Sequence, residues 1–133
     1  MATDIRLAVV GSRGFNNARQ LYKVMDKIIA ENDYNVIEIV SGGAKGPDSF
    51  GESYARIHNI PTKIFLPDWK KYGRSAGFRR NVDIIENCDV CIACWDGSSH
   101  GTKHDIRMCY EQNKPCYIYN YIDNIVYLNE ESV

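Results

Sequence analysis

The stretch that decides the fold is Val40-Ser41-Gly42-Gly43-Ala44-Lys45-Gly46-Pro47-Asp48, which follows the apolar run 36–40 and precedes an expected helix. Glycines between a buried strand and a helix let backbone N–H groups approach a ligand, and the first helical turn offers unpaired donors to an anion. Pro47 suits that turn, where its missing N–H costs nothing. The stretch predicts phosphate binding, and the alternative is a tight strand-to-helix connection without a ligand.

The composition is that of a globular protein and limits the possible functions. The 133 residues fit one domain, residues 1–133, and the net charge of −1 argues against a broadly basic surface for nucleic acid. No apolar run approaches the roughly 20 residues that span a bilayer, and the N-terminus lacks the pattern of a signal peptide. The five cysteines, an odd number, are expected to be reduced thiols. We therefore expect a cytoplasmic protein.

Strand and helix patterns alternate along the chain. Runs rich in apolar and β-branched residues predict strands at 5–10, 36–40, 62–66, 89–94 and 116–119. The helical stripes between them are Leu21, Val24, Met25, Ile28 and Ile29; Phe50, Tyr54 and Ile57; Phe78, Val82 and Ile85; and Ile106, Cys109 and Tyr110. This order predicts an α/β fold: a three-layer, Rossmann-like, doubly wound and mainly parallel sheet of about five strands, with helices on both faces.

The segment 121–128 has two interpretations: a hairpin with the fifth strand, or an irregular arm.

Glycine-bearing loops follow the predicted strands at 11–14, 41–46 and 97–101. Because parallel strands end at one edge of the sheet, these loops are expected to form a common pocket for phosphate and ribose, and the alternative is solvated turns. The candidate ligand-binding residues here are Gly11, Ser12, Arg13, Ser41, Gly42, Gly43, Lys45, Gly46, Asp48, Asp96, Gly97, Gly101, Thr102, Lys103 and His104. The spacings of nucleoside triphosphatases and of dinucleotide dehydrogenases are absent from the sequence.

A polar and aromatic segment, 67–73, separates the third strand from the next helix. Its Trp69 either stacks on a nucleobase or anchors the loop to the body of the protein. Arg79, Arg80 and Asn81 follow closely and are further candidates for ligand contact. For His104, contact with the ligand and a plain surface position are both open.

Metal and cofactor sites are not expected. Cys88-x-x-Cys91-x-x-Cys94 has metal-like spacing, but the alternation of a strand places Cys91 on the face opposite Cys88 and Cys94, so apolar packing is the expected role. His100 and His104 lack an evident third ligand for zinc.

Taken together, these motifs resemble the YspA-like branch of the SLOG superfamily, in order over about residues 5–120. The matching segments are 10–15, 41–49, Asp68-Trp69, Gly77-x-Arg79-Arg80-Asn81 and Trp95-Asp96-Gly97 with Gly101-Thr102-Lys103-His104. The resemblance implies a sensor or sequestering protein for a nucleotide or nucleotide-derived ligand, of the ADP-ribose or cyclic-nucleotide kind.

Two relatives within that superfamily imply alternatives. In the Lonely Guy phosphoribohydrolases the fourth loop carries a catalytic glutamate, and Asp105 stands at the matching position, with Arg80 the candidate for their catalytic arginine. A carboxylate there would activate water or stabilise an oxocarbenium-like charge, which implies a nucleotide N-glycosidase. The loop 41–48 also resembles that of DNA-processing protein A, which implies single-stranded DNA binding, although the net charge disfavours it.

Homo-oligomers are expected by resemblance to these relatives. The tyrosines 117, 119, 121 and 127 would either form an aromatic interface or cover the edge of the sheet.

Overall fold

The computed structural model describes residues 2–133, which form one six-stranded sheet flanked by helices. The strands are β1 (Thr3–Gly11), β2 (Tyr34–Ser41), β3 (Thr62–Ile64), β4 (Val90–Trp95), β5 (Cys116–Asn120) and β6 (Ile125–Leu128). The helices are α1 (Ala18–Glu31), α2 (Pro47–Ile57), α3 (Trp69–Tyr72), α4 (Ala76–Glu86) and α5 (His100–Glu111), with a 3₁₀ turn at Gly73–Ser75.

The strand order β3-β2-β1-β4-β5-β6 is that of a doubly wound sheet. Strands β1 to β5 pair in parallel and β6 pairs antiparallel with β5. The chain direction across the sheet reverses between β1 and β4, and ligands of such sheets bind at that point. The predicted fold class is confirmed, and the hairpin is the correct interpretation of segment 121–128.

Helices cover both faces of the sheet. Leu7 and Val9 pack with α1 and α2, whereas Ala8 and Val10 pack with α4 and α5, as the period of two in β1 requires. Every residue of β4 is buried. Burial on both faces explains why the central strands appear in the sequence as continuous apolar runs.

Three residues of the predicted helical stripes are not in the core. Ile57 is 64% exposed, Phe78 56% and Tyr110 44%. Ile57 is the last residue of α2, and Tyr110 lies one residue from the end of α5, so both stand past the main contact with the sheet. Phe78 lies in the first turn of α4. The apolar period marks the inner face of a helix but not how far that face overlaps the sheet.

The cysteine prediction is correct for two residues and wrong for one. Cys91 and Cys94 lie on opposite faces of the sheet. Cys88, however, lies on the same side as Cys91, because β4 begins only at Val90 and the strand alternation does not extend back to Cys88.

The C-terminal tyrosines are divided between core and surface. Tyr119 is buried, and the Tyr117 hydroxyl lies 3.0 Å from that of Tyr34. Tyr127, on β6, is exposed. Within residues 2–133, no helix combines the length and the apolar character that crossing a bilayer requires.

Candidate functional site

A cavity of about 500 Å³ lies at the carboxyl edge of the sheet, where the strand order reverses. Its walls come from the loop after β1, the start of α2, the first turns of α4 and the start of α5. The predicted site residues that line it are Gly11, Ser12, Arg13, Asp48, Arg80, Asn81, Gly101, Thr102, His104 and Asp105. Half of the predicted site residues therefore share one cavity, and their binding of a ligand stays a prediction.

The other predicted residues lie outside the lining: Ser41, Gly42, Gly43, Lys45, Gly46, Trp69, Arg79, Asp96, Gly97 and Lys103. Lining residues that were not predicted are Val10, Ala44, Gly77, Phe78, Ser99 and His100.

Gly11 allows the walls of the cavity to come together. A methyl group at this position would collide with the backbone carbonyl of Cys94 and would stand 2.7 Å from Cγ of Pro47. Beside it, Oγ of Ser12 lies 2.8 Å from Oγ of Ser99 and accepts a hydrogen bond from the Asp96 N–H at 3.3 Å. The loop after β1 and the loop after β4 are thereby joined across the point where the strand order reverses.

Asp96 builds the turn that leads into α5. Its Oδ1 accepts hydrogen bonds from the N–H groups of Ser99, at 2.7 Å, and Ser98, at 2.9 Å, and these bonds lower the pKa of its carboxyl. Gly97 has a φ of 86°, the left-handed conformation that favours glycine. Asp96 and Gly97 thus shape the loop instead of lining the cavity.

The start of α5 is open on its cavity side. Ser99 precedes the helix, and its side chain makes no capping hydrogen bond. A methyl group placed on Gly101 would meet no atom within 4 Å. Uncapped first-turn N–H groups beside empty space and the positive end of the helix dipole form a favourable environment for an anion.

In the glycine-rich loop 41–46, a side chain of the protein itself occupies the donors. Oδ2 of Asp48 accepts the Gly42 N–H at 3.1 Å, and the carboxyl also accepts the Ala44 N–H. Oγ of Ser41 donates to Oε2 of Glu52 at 2.8 Å. The backbone groups expected to bind phosphate thus surround a buried carboxyl, and phosphate binding by this loop stays a prediction.

Arg80 connects α4 to that loop. Its Nη1 donates to the Gly42 carbonyl at 2.6 Å, and its Nε donates to Oδ1 of Asn81 at 2.9 Å. The guanidinium also interacts electrostatically with Asp48 and with Asp105. One cation therefore faces two carboxyl groups at the floor of the cavity.

Asp105 is the least satisfied polar group in this part of the protein. It is 4% exposed, and its Oδ1 is buried without a hydrogen-bond partner among residues 2–133. Burial raises the pKa of its carboxyl well above the ordinary value, and the nearby charge of Asp48 adds to this rise. Leaving a buried polar atom unpaired costs about 1–3 kcal/mol, so a group that completes this site would be bound favourably.

The pKa of Asp48 is also raised, to about 6. Burial is the main cause, and the Arg80 charge and the N–H groups of Gly42 and Ala44 oppose it. Two neighbouring carboxyls with raised pKa values, in a cleft that also contains the guanidinium of Arg80, are typical of functional sites.

An aromatic pair forms part of the cavity wall. The rings of Phe78 and His104 stack with centroids 4.4 Å apart and an angle of 28° between their planes. Burial lowers the pKa of His104, and the charge of Arg107 lowers it further, which favours the neutral imidazole. Phe78 was assigned to the core because it continues an apolar stripe. Its position in a first helical turn directly before Arg79-Arg80 is the sequence signal for its place at the site.

Trp69 and Arg79 stand beside the cavity. Trp69 is 55% exposed on α3, and a methyl group on Gly77 would lie 3.6 Å from its indole. The guanidinium of Arg79 lies over the ring of Tyr72 at 4.3 Å, and its Nε donates to Oγ of Ser75 at 3.3 Å. Arg79 is thereby engaged with the α3 segment. Base stacking by Trp69 stays a prediction.

A family model described as the YspA, cpYpsA-related SLOG family matches residues 5–72, more than half of the chain. The chain belongs to this family. Comparison with curated proteins finds no match. In this SLOG protein the matched segment runs from β1 to α3 and contains the first two glycine loops, whereas Arg80 and Asp105 follow it in the chain.

Replacing Asp105 by asparagine is expected to stabilise the SLOG protein at high pH. Since the folded-state pKa of this carboxyl lies above its unfolded value, the folded state holds the proton more tightly, and stability falls as pH rises through that interval. The Asp105→Asn variant lacks this loss. We expect a free energy of unfolding about 1–2 kcal/mol above wild type at pH 8 and little difference at pH 4.

Urea denaturation at both pH values measures this effect. A parallel Asp123→Asn variant, at an exposed position, is the control and should follow the wild-type pH profile. An Asp105→Asn protein that is equally destabilised at both pH values would contradict the expected cost of the buried charge.

Proposed function

We propose that this SLOG protein binds a nucleotide or nucleotide-derived ligand, of the ADP-ribose or cyclic-nucleotide kind, as a sensor or sequestering protein. Membership in the family fits a nucleotide-related ligand. The observation that carries the proposal is that the open start of α5 and the stacked aromatic pair line the same cavity. A nucleotide needs both features: an anion site for phosphate and a flat apolar surface for the base.

In this proposal, phosphate binds at the start of α5. The hydroxyl of Thr102 and the charge of Arg13 lie in the same cavity wall and supply further donors. The empty space above Gly101 permits an anion to approach the helix backbone closely. The loop 41–46 would act indirectly, by holding Asp48 and Arg80 in place.

The base would pack against Phe78. This ring is more than half exposed although it is apolar, and His104 holds it in a stacked arrangement. Stacking of a base on an aromatic side chain contributes about 1–3 kcal/mol. A cavity of about 500 Å³ is within the usual range for small-molecule sites, and the net charge of −1 favours such a ligand over nucleic acid.

Isothermal titration with AMP, ADP-ribose and cyclic AMP tests the proposal. We expect at least one of them to bind wild type, and Phe78→Ala to weaken that binding about tenfold through lost stacking. Gly101→Ala should weaken binding by placing a methyl group in the phosphate space, although alanine favours the helix by up to about 1 kcal/mol. Ile57→Ala, at an exposed position outside the cavity lining, is the control.

The proposal would be contradicted if the folded protein bound none of the three nucleotides. Unchanged affinity in both cavity variants would show that the nucleotide binds elsewhere.

A second candidate function, nucleotide N-glycosidase, is favoured by the unpaired Oδ1 of Asp105 beside Arg80. In such a reaction water would add to the anomeric carbon, the bond to the base would break, and the base would leave with a proton. With both pKa values raised above the ordinary value by burial, Asp48 and Asp105 are suited to one proton acceptor and one proton donor. Arg80 would hold the sugar phosphate or oppose the negative charge of the carboxyls.

Incubation with nucleoside monophosphates, followed by chromatography for free base, measures this activity. If the protein is a glycosidase, Asp105→Asn should reduce turnover at least about 100-fold, since acid–base groups contribute roughly 10²–10⁴-fold. Urea denaturation of that variant at pH 8 distinguishes loss of activity from loss of the fold. If the protein binds nucleotides but releases no base, the glycosidase function is contradicted and the binding function stands.

We also propose that two copies of the chain associate through β6. The strand is at the edge of the sheet, and its four residues are 53, 36, 42 and 43% exposed from Ile125 to Leu128. It carries no charged residue, whereas the opposite edge strand, β3, contains Lys63. A charged edge strand repels its own copy, and an uncharged apolar one can pair with it about a two-fold axis.

Light scattering after size-exclusion chromatography tests this association. We expect a dimer of wild type and a monomer of Val126→Lys, because the substitution places like charges opposite each other in the paired strands. Ile57→Lys, on an exposed apolar position of α2, should remain dimeric. A wild-type monomer at 100 µM would contradict the proposal.

A cytoplasmic location also remains a proposal. All five cysteines are free thiols, which supports a reducing compartment.

A further inference from the structure

A cluster of three thiols lies beneath the floor of the cavity. It consists of Cys91 on β4, Cys116 on β5 and Cys109 on α5, whose sulfur atoms all lie within 4.8 Å of one another. Each residue is at most 1% exposed. Cys91 and Cys116 are register partners on neighbouring parallel strands, so they share one face of the sheet, and α5 brings Cys109 onto that face.

We propose that Cys91, Cys109 and Cys116 bind one thiophilic monovalent cation of the copper(I) type. Three soft ligands from three separate elements converge on one point, and soft thiolate ligands select copper(I) among the metals that they bind. The inference concerns the chain's own thiols and holds whether or not the cavity above binds a nucleotide.

The spacing of the sulfurs fits a three-coordinate ion. With metal–sulfur bonds of about 2.3 Å, a trigonal ion holds its three sulfurs about 4.0 Å apart. The sulfurs lie at most 4.8 Å apart, so each pair needs to approach by less than an ångström to bind the ion. Side-chain rotation can supply this shift. Binding would require no movement of the sheet.

The number of ligands selects copper(I) over zinc. In the described part of the chain, no further His, Cys, Asp or Glu belongs to this group of ligand atoms, and burial excludes water as a fourth ligand. Zinc in structural sites takes four ligands, whereas thiolates also hold copper(I). Cys94 lies on the other face of the sheet, and Sγ of Cys88 is directed to the Ile85 carbonyl at 3.4 Å.

Asp105 links the cavity to the cluster. Asp105 lines the cavity and stands four residues before Cys109, one helical turn away on the same face of α5. Its carboxyl interacts electrostatically with both Cys109 and Cys116. The cation keeps its oxidation state, and each thiol that becomes a thiolate releases its proton to solvent.

Titration of the reduced, metal-free protein with silver(I) tests the site. Silver(I) is redox-inert and has the same charge as copper(I) and the same preference for sulfur ligands. Copper(I) is then titrated without oxygen, in competition with the chelator bicinchoninate. We expect one cation per chain. Cys109→Ala and Cys116→Val should each weaken binding by at least the 10- to 100-fold loss seen when only an outer-shell partner is removed. Cys94→Ala is the matched control, a buried thiol outside the cluster.

Circular dichroism of each variant distinguishes loss of a ligand from loss of the fold, and the paired Cys109 and Cys116 variants keep the test decisive if one fails to fold. X-ray absorption of the copper(I) form should show three sulfur neighbours. Folded wild type that takes up no silver(I), equal weakening in Cys94→Ala, or tighter retention of zinc(II) than of copper(I) would overturn the proposal.

Discussion

The structure depends on one buried carboxyl group. Asp48 accepts backbone hydrogen bonds from Gly42 and Ala44 and thereby fixes the connection between β2 and α2. Through the Gly42 carbonyl the same loop receives Arg80 from α4. A methyl group on Gly42 would stand 2.7 Å from Nη1 of Arg80 and 2.9 Å from Oδ2 of Asp48, so only glycine permits these two contacts together.

The buried carboxyl groups at this site reduce the stability of the protein. Burial raises the pKa values of Asp48 and Asp105, which means that each ionised carboxyl costs folding free energy. One guanidinium, that of Arg80, compensates part of the cost. Retaining two buried acids and an unpaired oxygen is unfavourable for an empty cavity and favourable for one that accepts a ligand with hydrogen-bond donors.

The sequence predicted the fold because the order of strands and helices depends on local patterns. Runs rich in apolar and β-branched residues predicted β1, β2 and β4, and the run is uninterrupted in β4, which is buried along its whole length. Half of the predicted site residues, including Arg80 and Asp105, line the cavity, because parallel strands end at one edge of the sheet. Other predicted residues, such as Arg79 and Lys103, lie outside the lining, because a position in a motif does not determine side-chain direction.

What the sequence by itself determined is the α/β alternation, the glycine loops after the strands and the carboxyl at position 48. Only the tertiary structure decided what those groups contact. In the tertiary structure the amides of Gly42 and Ala44 donate to Asp48. Phe78 lies in the cavity wall instead of the core, and Cys91, Cys109 and Cys116 lie together. The physical reason is that each of these contacts joins elements far apart in the chain, whose relative placement follows from packing of the whole sheet and not from local spacing.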